Sequence, residues 1–155
     1  METSITLFKS SLPIEVKLDI RNKIIQAEEA LNNAVSSGQV VDSCSSFPLR
    51  HFFTQGVYAR ELTIPAGQVV VGKIHKHEHL NFISKGKVTV LTEEGGLEEL
   101  TSPCTLISPA GVKRLLYTHE ETVWTVVHQT DKTNLDEIED ENISPCFITL
   151  LEGNI

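Results

Sequence analysis

The sequence predicts a mainly β fold, an antiparallel sandwich or barrel with one α-helix before it and an acidic segment after it. Three observations carry the prediction. Residues 48–130 are rich in β-branched side chains and are broken at near-regular intervals by turn-forming residues, the pattern of many short antiparallel strands. Residues 13–36 instead repeat apolar side chains every three or four positions, the period of a helix. The chain has 155 residues, 40% hydrophobic and 22% charged, an ordinary globular composition with length for one buried core.

The elements follow in order. Pro13 suits the first turn of a helix and Glu15 complements its dipole. Val16, Ile20, Ile24, Ala27, Leu31 and Val35 form one stripe to bury against the body or a second copy, and Gly38 supplies the stop. Strands are expected at 49–53, 57–64, 68–75, 79–84, 87–92, 97–101, 104–108, 112–117 and 122–130. The turns between them include Thr54-Gln55-Gly56, Pro65-Ala66-Gly67, Lys85-Gly86, Glu94-Gly95-Gly96, Ser102-Pro103, Pro109-Ala110-Gly111 and His119-Glu120-Glu121. Residues 134–141 read as a short acidic helix, and Cys146–Leu151 as a returning strand or apolar tail. The organisation is therefore a helical extension over 1–47, a β-domain over 48–130 and an acidic segment over 131–155, which packs on the barrel or a partner.

Composition excludes several functions. Thirteen basic against 21 acidic residues give a net charge of −8, the wrong sign for a general nucleic-acid binder. Residues 131–155 carry seven acids and one base, a solvated tail or helix face by the usual fate of charge runs. No window approaches the length of apolar sequence a membrane helix needs. The first residues, METSITLFKS, lack a basic region followed by a long apolar run, so no secretory signal is expected. Three cysteines, Cys44, Cys104 and Cys146, show no CxxC spacing, which fits a reducing, cytoplasmic setting. No phosphate-binding glycine loop, nucleophile elbow or zinc-finger spacing occurs.

The most distinctive segment is Lys73-Ile-His-Lys-His-Glu-His-Leu-Asn81, with three of the six histidines in five residues. In an unbroken strand, alternate side chains share a face. Lys73, His75, His77, His79 and Asn81 would then point together, and Glu78 outward. Three neighbouring imidazoles suit a divalent transition metal such as Zn, Fe, Mn, Ni or Cu. His128 is the candidate fourth donor, on the same face of its strand as Trp124 and Val126; His119 in a turn and His51 are weaker candidates. A charged, solvated strand face or a pH-sensitive or anion-binding cluster are the alternatives.

These residues resemble the first motif of the cupin superfamily. The spacing runs Gly67, five residues, Lys73, one, His75, three, His79, six, Gly86. Lys73 stands where that pattern has its first His, and His79 where it has Glu. The second motif is matched by Pro103, five residues, Pro109, one, Gly111, two, Arg114, three, Thr118. Here the metal His of the pattern is replaced by Arg114. The resemblance covers about residues 57–130; a weaker resemblance is to small cupin-like proteins of bacteriophage genomes. It implies a jelly-roll barrel, a metal site in its interior and a homodimer.

The functional expectation is a small cupin-type protein whose metal is held by His75, His77, His79 and His128. Lys73 and Arg114, with Asn81, Tyr117 and Trp124, would line a site for a small anionic molecule, Arg114 binding it bidentately. A metal-dependent enzyme of unknown reaction is one form of this. The alternatives are a metal-free module that sequesters an anionic metabolite or nucleotide through Lys73, His75, His79 and Arg114, and a structural or assembly protein that uses the helix and acidic segment as contacts.

Overall fold

Strict alternation in the strands builds two facing sheets whose inward side chains fill the space between them. In the computed structural model, residues 12–40, 42 and 46–144 are described. Helix α1 (Ile14–Ser36) precedes strands β1 (Leu49–Thr54), β2 (Val57–Ile64), β3 (Val69–Val71), β4 (Ile74–His75), β5 (His79–Lys85) and β6 (Lys87–Thr92). Strands β7 (Gly96–Thr101), β8 (Cys104–Ser108), β9 (Arg114–Thr118) and β10 (Thr122–Gln129) follow, then α2 (Leu135–Asn142) and β11 (Ile143–Ser144). One sheet has five strands in the order β1-β2-β10-β5-β8, the other four in the order β3-β9-β6-β7, and β11 pairs with β4. Every pairing is antiparallel.

Ile64, Ile83, Leu106 and Trp124 from the first sheet meet Val88, Val90, Leu100 and Leu116 from the second, with Phe47 closing the cluster. The alternation in β5 shows why. His79, Asn81 and Ile83 are buried while Leu80, Phe82 and Ser84 are exposed. The jelly-roll expectation is met in this arrangement.

Helix α1 starts after Pro13, whose carbonyl accepts from Lys17 N at 3.1 Å. It ends at Gly38, which takes the left-handed φ of 74° that a non-glycine residue adopts only at a cost. The expected stripe is only partly used. Ile20 and Ile24 are buried, whereas Val16 and Val35 lie exposed at its ends. The helix is also pinned by charge: Lys17 to Glu94 at 2.9 Å, Arg21 to the buried Glu93 at 2.6 Å, and Glu28 to Lys113 at 2.5 Å. Replacing the fully buried Ile24 by alanine removes its anchor, and equilibrium denaturation is expected to show a loss of about 2–4 kcal/mol.

The sequence reading fails most at 68–75, expected as one strand. It is two strands, β3 and β4, broken at Gly72 and Lys73. Gly72 N donates to the Arg114 carbonyl at 2.8 Å, while β3 pairs with β9 and β4 with β11. The chain thus changes partner at the break. The two-residue strand β11 was not anticipated, because its pairing with β4 depends on tertiary placement. Helix α2 is capped by Asn134, whose side chain accepts from Asp136 N and Glu137 N. The expected strand or tail at Cys146–Leu151 lies outside the described residues. Among those residues, no helix is long and apolar enough to cross a membrane.

Candidate metal centre

Three histidines converge inside the barrel. His75 ends β4, His79 begins β5 and His128 lies near the end of β10. One ring nitrogen from each lies within 4.8 Å of the others. The His75 and His79 rings stack with centroids 4.2 Å apart, and His128 stands 4.9 Å from the first and 5.0 Å from the second. His79 and His128 are buried and His75 is partly buried.

Hydrogen bonding fixes one tautomer. His79 Nδ1 lies 2.9 Å from the His77 carbonyl, which only accepts, so Nδ1 carries the proton and Nε2 keeps its lone pair. That Nε2 is buried without a partner. A carbonyl holding one ring nitrogen so that the other is free is how a metal-binding imidazole is oriented. His75 Nδ1 and His128 Nε2 are 3.1 Å apart and share one hydrogen bond. Three nitrogen donors with an orphaned lone pair fit a first-row divalent ion.

The rings are also held neutral, the state a ligand needs. Burial, reinforced by the His79 and His128 rings and then by Arg114 and Arg60, pushes His75 down to about 2. Burial pushes His79 to about 4 despite its bond to the His77 carbonyl, and His128 to about 4 with His77 adding to the effect and Glu141 opposing it. An unfolded histidine titrates near 6.5. Above that pH the rings are neutral in both states and the folded form loses nothing. As pH falls from about 6.5 toward 4, the unfolded chain gains protons that the folded barrel refuses. Each such ring then lowers stability by about 1.4 kcal/mol per pH unit. Denaturation of the metal-free protein across this window is expected to show that decline, and the triple His→Ala variant a flatter profile; parallel profiles would contradict it.

The strand break decides which expected residues reach the centre. The chain bends at Lys76 and His77, so the expected alternation from Lys73 to Asn81 does not hold. His77 is exposed, and its Nε2 lies 3.2 Å from the Glu141 carbonyl; it is not drawn into the trio. Lys73, expected as an anion clamp, points outward and is ion-paired with Glu139. Tyr117, expected as pocket wall, is exposed and packs edge-on against His119. The alternation of β9 explains this, since Arg114, Leu116 and Thr118 take the inward positions. His119 Nε2 sits on Thr89 Oγ1 at 2.6 Å and His51 Nδ1 on Tyr58 OH at 2.7 Å, both outside the trio.

Arg114, Asn81 and Trp124 do face the interior. Arg114 is 7% exposed, donates to Ser108 Oγ and lies over the Trp124 ring, 5.9 Å from its centroid. Trp124 Nε1 donates to Asn81 Oδ1 at 2.9 Å. Two inward residues were missed, Ser108 and Arg60. Ser108 lies directly across from His79, and Arg60 shares the β2 parity of the buried Tyr58 and Ile64. Period-two counting from either buried neighbour would have found them. A cleft of about 310 Å³ lies between Val57, Leu80, Ile107 and Val127, on the outward parity of the five-stranded sheet, and reaches His79 and His128 at its edge.

An antiparallel double-sheet barrel of this strand order is a jelly-roll architecture. Solved structures bear this out for the fold. Ectoine synthase from P. lautus superposes with a TM-score of 0.51 at 15% identity, over 61% of this chain and 71% of that one. An RmlC-like cupin with a double-stranded β-helix fold from Methanocaldococcus jannaschii matches at TM-score 0.46 and 18% identity, covering 59% of this chain and 86% of its own. A cupin-2 domain protein from Shewanella frigidimarina matches at 0.44 and 11%, covering 54% and 80%. The fold of this chain is the cupin jelly roll, shared with the enzyme ectoine synthase. No protein-family model and no curated protein matches the sequence.

Proposed function

We propose that this chain is a metal-binding cupin that binds or transforms a small anionic molecule at a centre built from His75, His79 and His128. The observation that carries the reading is the convergence of three neutral imidazole nitrogens within 4.8 Å. A divalent transition metal bound there supplies a Lewis acid toward a ligand oxygen. The chain's own residues do the rest: His77's carbonyl orients His79, and Arg114 favours negative charge.

Elemental analysis of protein prepared without an affinity tag tests this. About one transition-metal ion per chain is expected. A trace amount that is the same in the triple His→Ala variant would overturn the metal reading. One observation favours a metal-free module instead: Arg114 and Arg60 both act on His75 as positive charges, which opposes a cation at the trio. Anion binding that survives strong chelation would favour that module.

A further inference from the structure

Among the described residues, three buried side-chain atoms lack any hydrogen-bond partner: His79 Nε2, Asn81 Nδ2 and Arg114 Nε. All three face the barrel interior. Two are fixed donors. Trp124 Nε1 only donates, so the atom it meets on Asn81 is the oxygen, which leaves the Nδ2 hydrogens unmatched. Arg114 Nε likewise only donates. Asn81 touches the edge of the Trp124 indole and Arg114 lies over its face, so both donors border one apolar wall.

The charge is unmatched as well. Among the described residues, Arg114 donates to the Ser108 hydroxyl and forms no ion pair. Glu94 lines the same narrow crevice, but bonds to Lys17 at 2.9 Å. Burial alone pushes the guanidinium down to about 10, still charged at neutral pH. A buried cation without a counter-ion is costly, and buried donors left unmade add to that cost. In a protein of net charge −8, the interior carries an uncompensated positive site.

We infer that the barrel's ligand carries a carboxylate, and that Arg114 and Asn81 receive it. The inference deepens the proposed anion-binding function and rests on that reading of the interior. Two unmatched donors and one uncompensated charge suit the two oxygens and single charge of a carboxylate. A phosphate or sulfate would bring further oxygens against the apolar face of Trp124, which offers no donor once its Nε1 is bonded to Asn81. That desolvation is unfavourable. Arg60, on the inward parity of β2, adds positive potential at His75.

The test titrates acetate, pyruvate and sulfate into the full chain by calorimetry and thermal shift, with and without bound metal. Saturable binding of acetate and pyruvate but not sulfate is expected. Arg114→Gln is expected to weaken it at least tenfold. Asn81→Asp keeps the acceptor for Trp124 but places a carboxylate where the ligand's would sit. It is expected to abolish binding while folding without added carboxylate, and it decides the matter if Arg114→Gln does not fold. Wild-type protein that holds its metal but ignores both carboxylates would overturn this inference and leave the metal reading standing. Sulfate binding as tight as acetate would overturn the carboxylate assignment. Arg114-dependent acetate binding in metal-free protein would support the inference even where the metal reading failed.

Discussion

Substituting His75, His79 and His128 together with alanine is expected to abolish stoichiometric metal uptake, with each single substitution weakening it at least about a hundredfold. The magnitude follows from the donor set. Loss of an outer partner that merely orients a ligand costs roughly 10–100-fold in metal affinity, and each substitution here removes a proposed ligand itself. The trio has little redundancy. His77 is turned to the Glu141 carbonyl and His119 to Thr89. His77→Ala is therefore the informative control: it removes a side chain from the same five-residue cluster and is expected to leave uptake almost unchanged, because His79 is oriented by the backbone carbonyl of residue 77. Competition titration against a chromophoric chelator reads both results. A larger loss from His77→Ala than from His128→Ala would show that the bend at 76–77 is misread.

Gly86→Ala is expected to be among the most damaging single changes in the chain. Gly86 makes the turn from β5 to β6 at φ 98°. A Cβ there would come within 2.4 Å of the Glu121 carbonyl oxygen and 2.8 Å of the Thr122 Cα. Both neighbours are backbone and cannot swing aside. The left-handed conformation alone costs a non-glycine residue roughly 1–2 kcal/mol. With the clash the expected loss is about 3–5 kcal/mol, near the top of single-mutation effects. At this chain length that lowers the melting temperature by about 10 °C. Gly67→Ala is the comparison, since it shares a positive φ of 77° but has open space around it. A melting temperature for Gly86→Ala no lower than that of Gly67→Ala would contradict the turn geometry.

The sheets were legible in the sequence because period-two burial and turn residues are local signals. β2, β6, β8 and β10 fall where the alternation puts them to within one residue. The same signal puts Asn81 on the face of His79, and both are buried; Trp124, read as an aromatic of the core or pocket wall, is buried as well. The alternation failed where the chain changes partner. Nothing in Val-Gly-Lys-Ile-His marks Gly72 as the point where pairing passes from β9 to β11, because that depends on a strand seventy residues downstream. The error carried into the site, assigning His77 and Lys73 to a face that the bend at 76–77 removes them from. His128 was found from strand parity alone, although its partners lie about fifty residues earlier in the chain. Tyr117 was misplaced by reading an aromatic as a wall, where the parity of Arg114 and Leu116 already put it outside.

The acidic segment illustrates a second limit. Its charge run read as solvated surface, and most of α2 is exposed, with Ile138 and Asn142 buried. Yet its C-terminal end also fastens the 73–77 segment. Lys76 N donates to the Asn142 carbonyl at 2.7 Å, Lys76 Nζ to the Asp140 carbonyl at 2.6 Å, and Lys73 pairs with Glu139. Backbone carbonyls carry two of these contacts, so no side-chain pattern could announce them.

A crystal grown from tag-free protein, measured on both sides of the absorption edge of each first-row metal, reaches the central question most directly. One anomalous peak is expected about 2.0–2.1 Å from a ring nitrogen of His75, His79 and His128, with His77 remote from it. Interior density holding only water, with the three imidazoles hydrogen-bonded to it in protein that had been offered metal, would contradict the account.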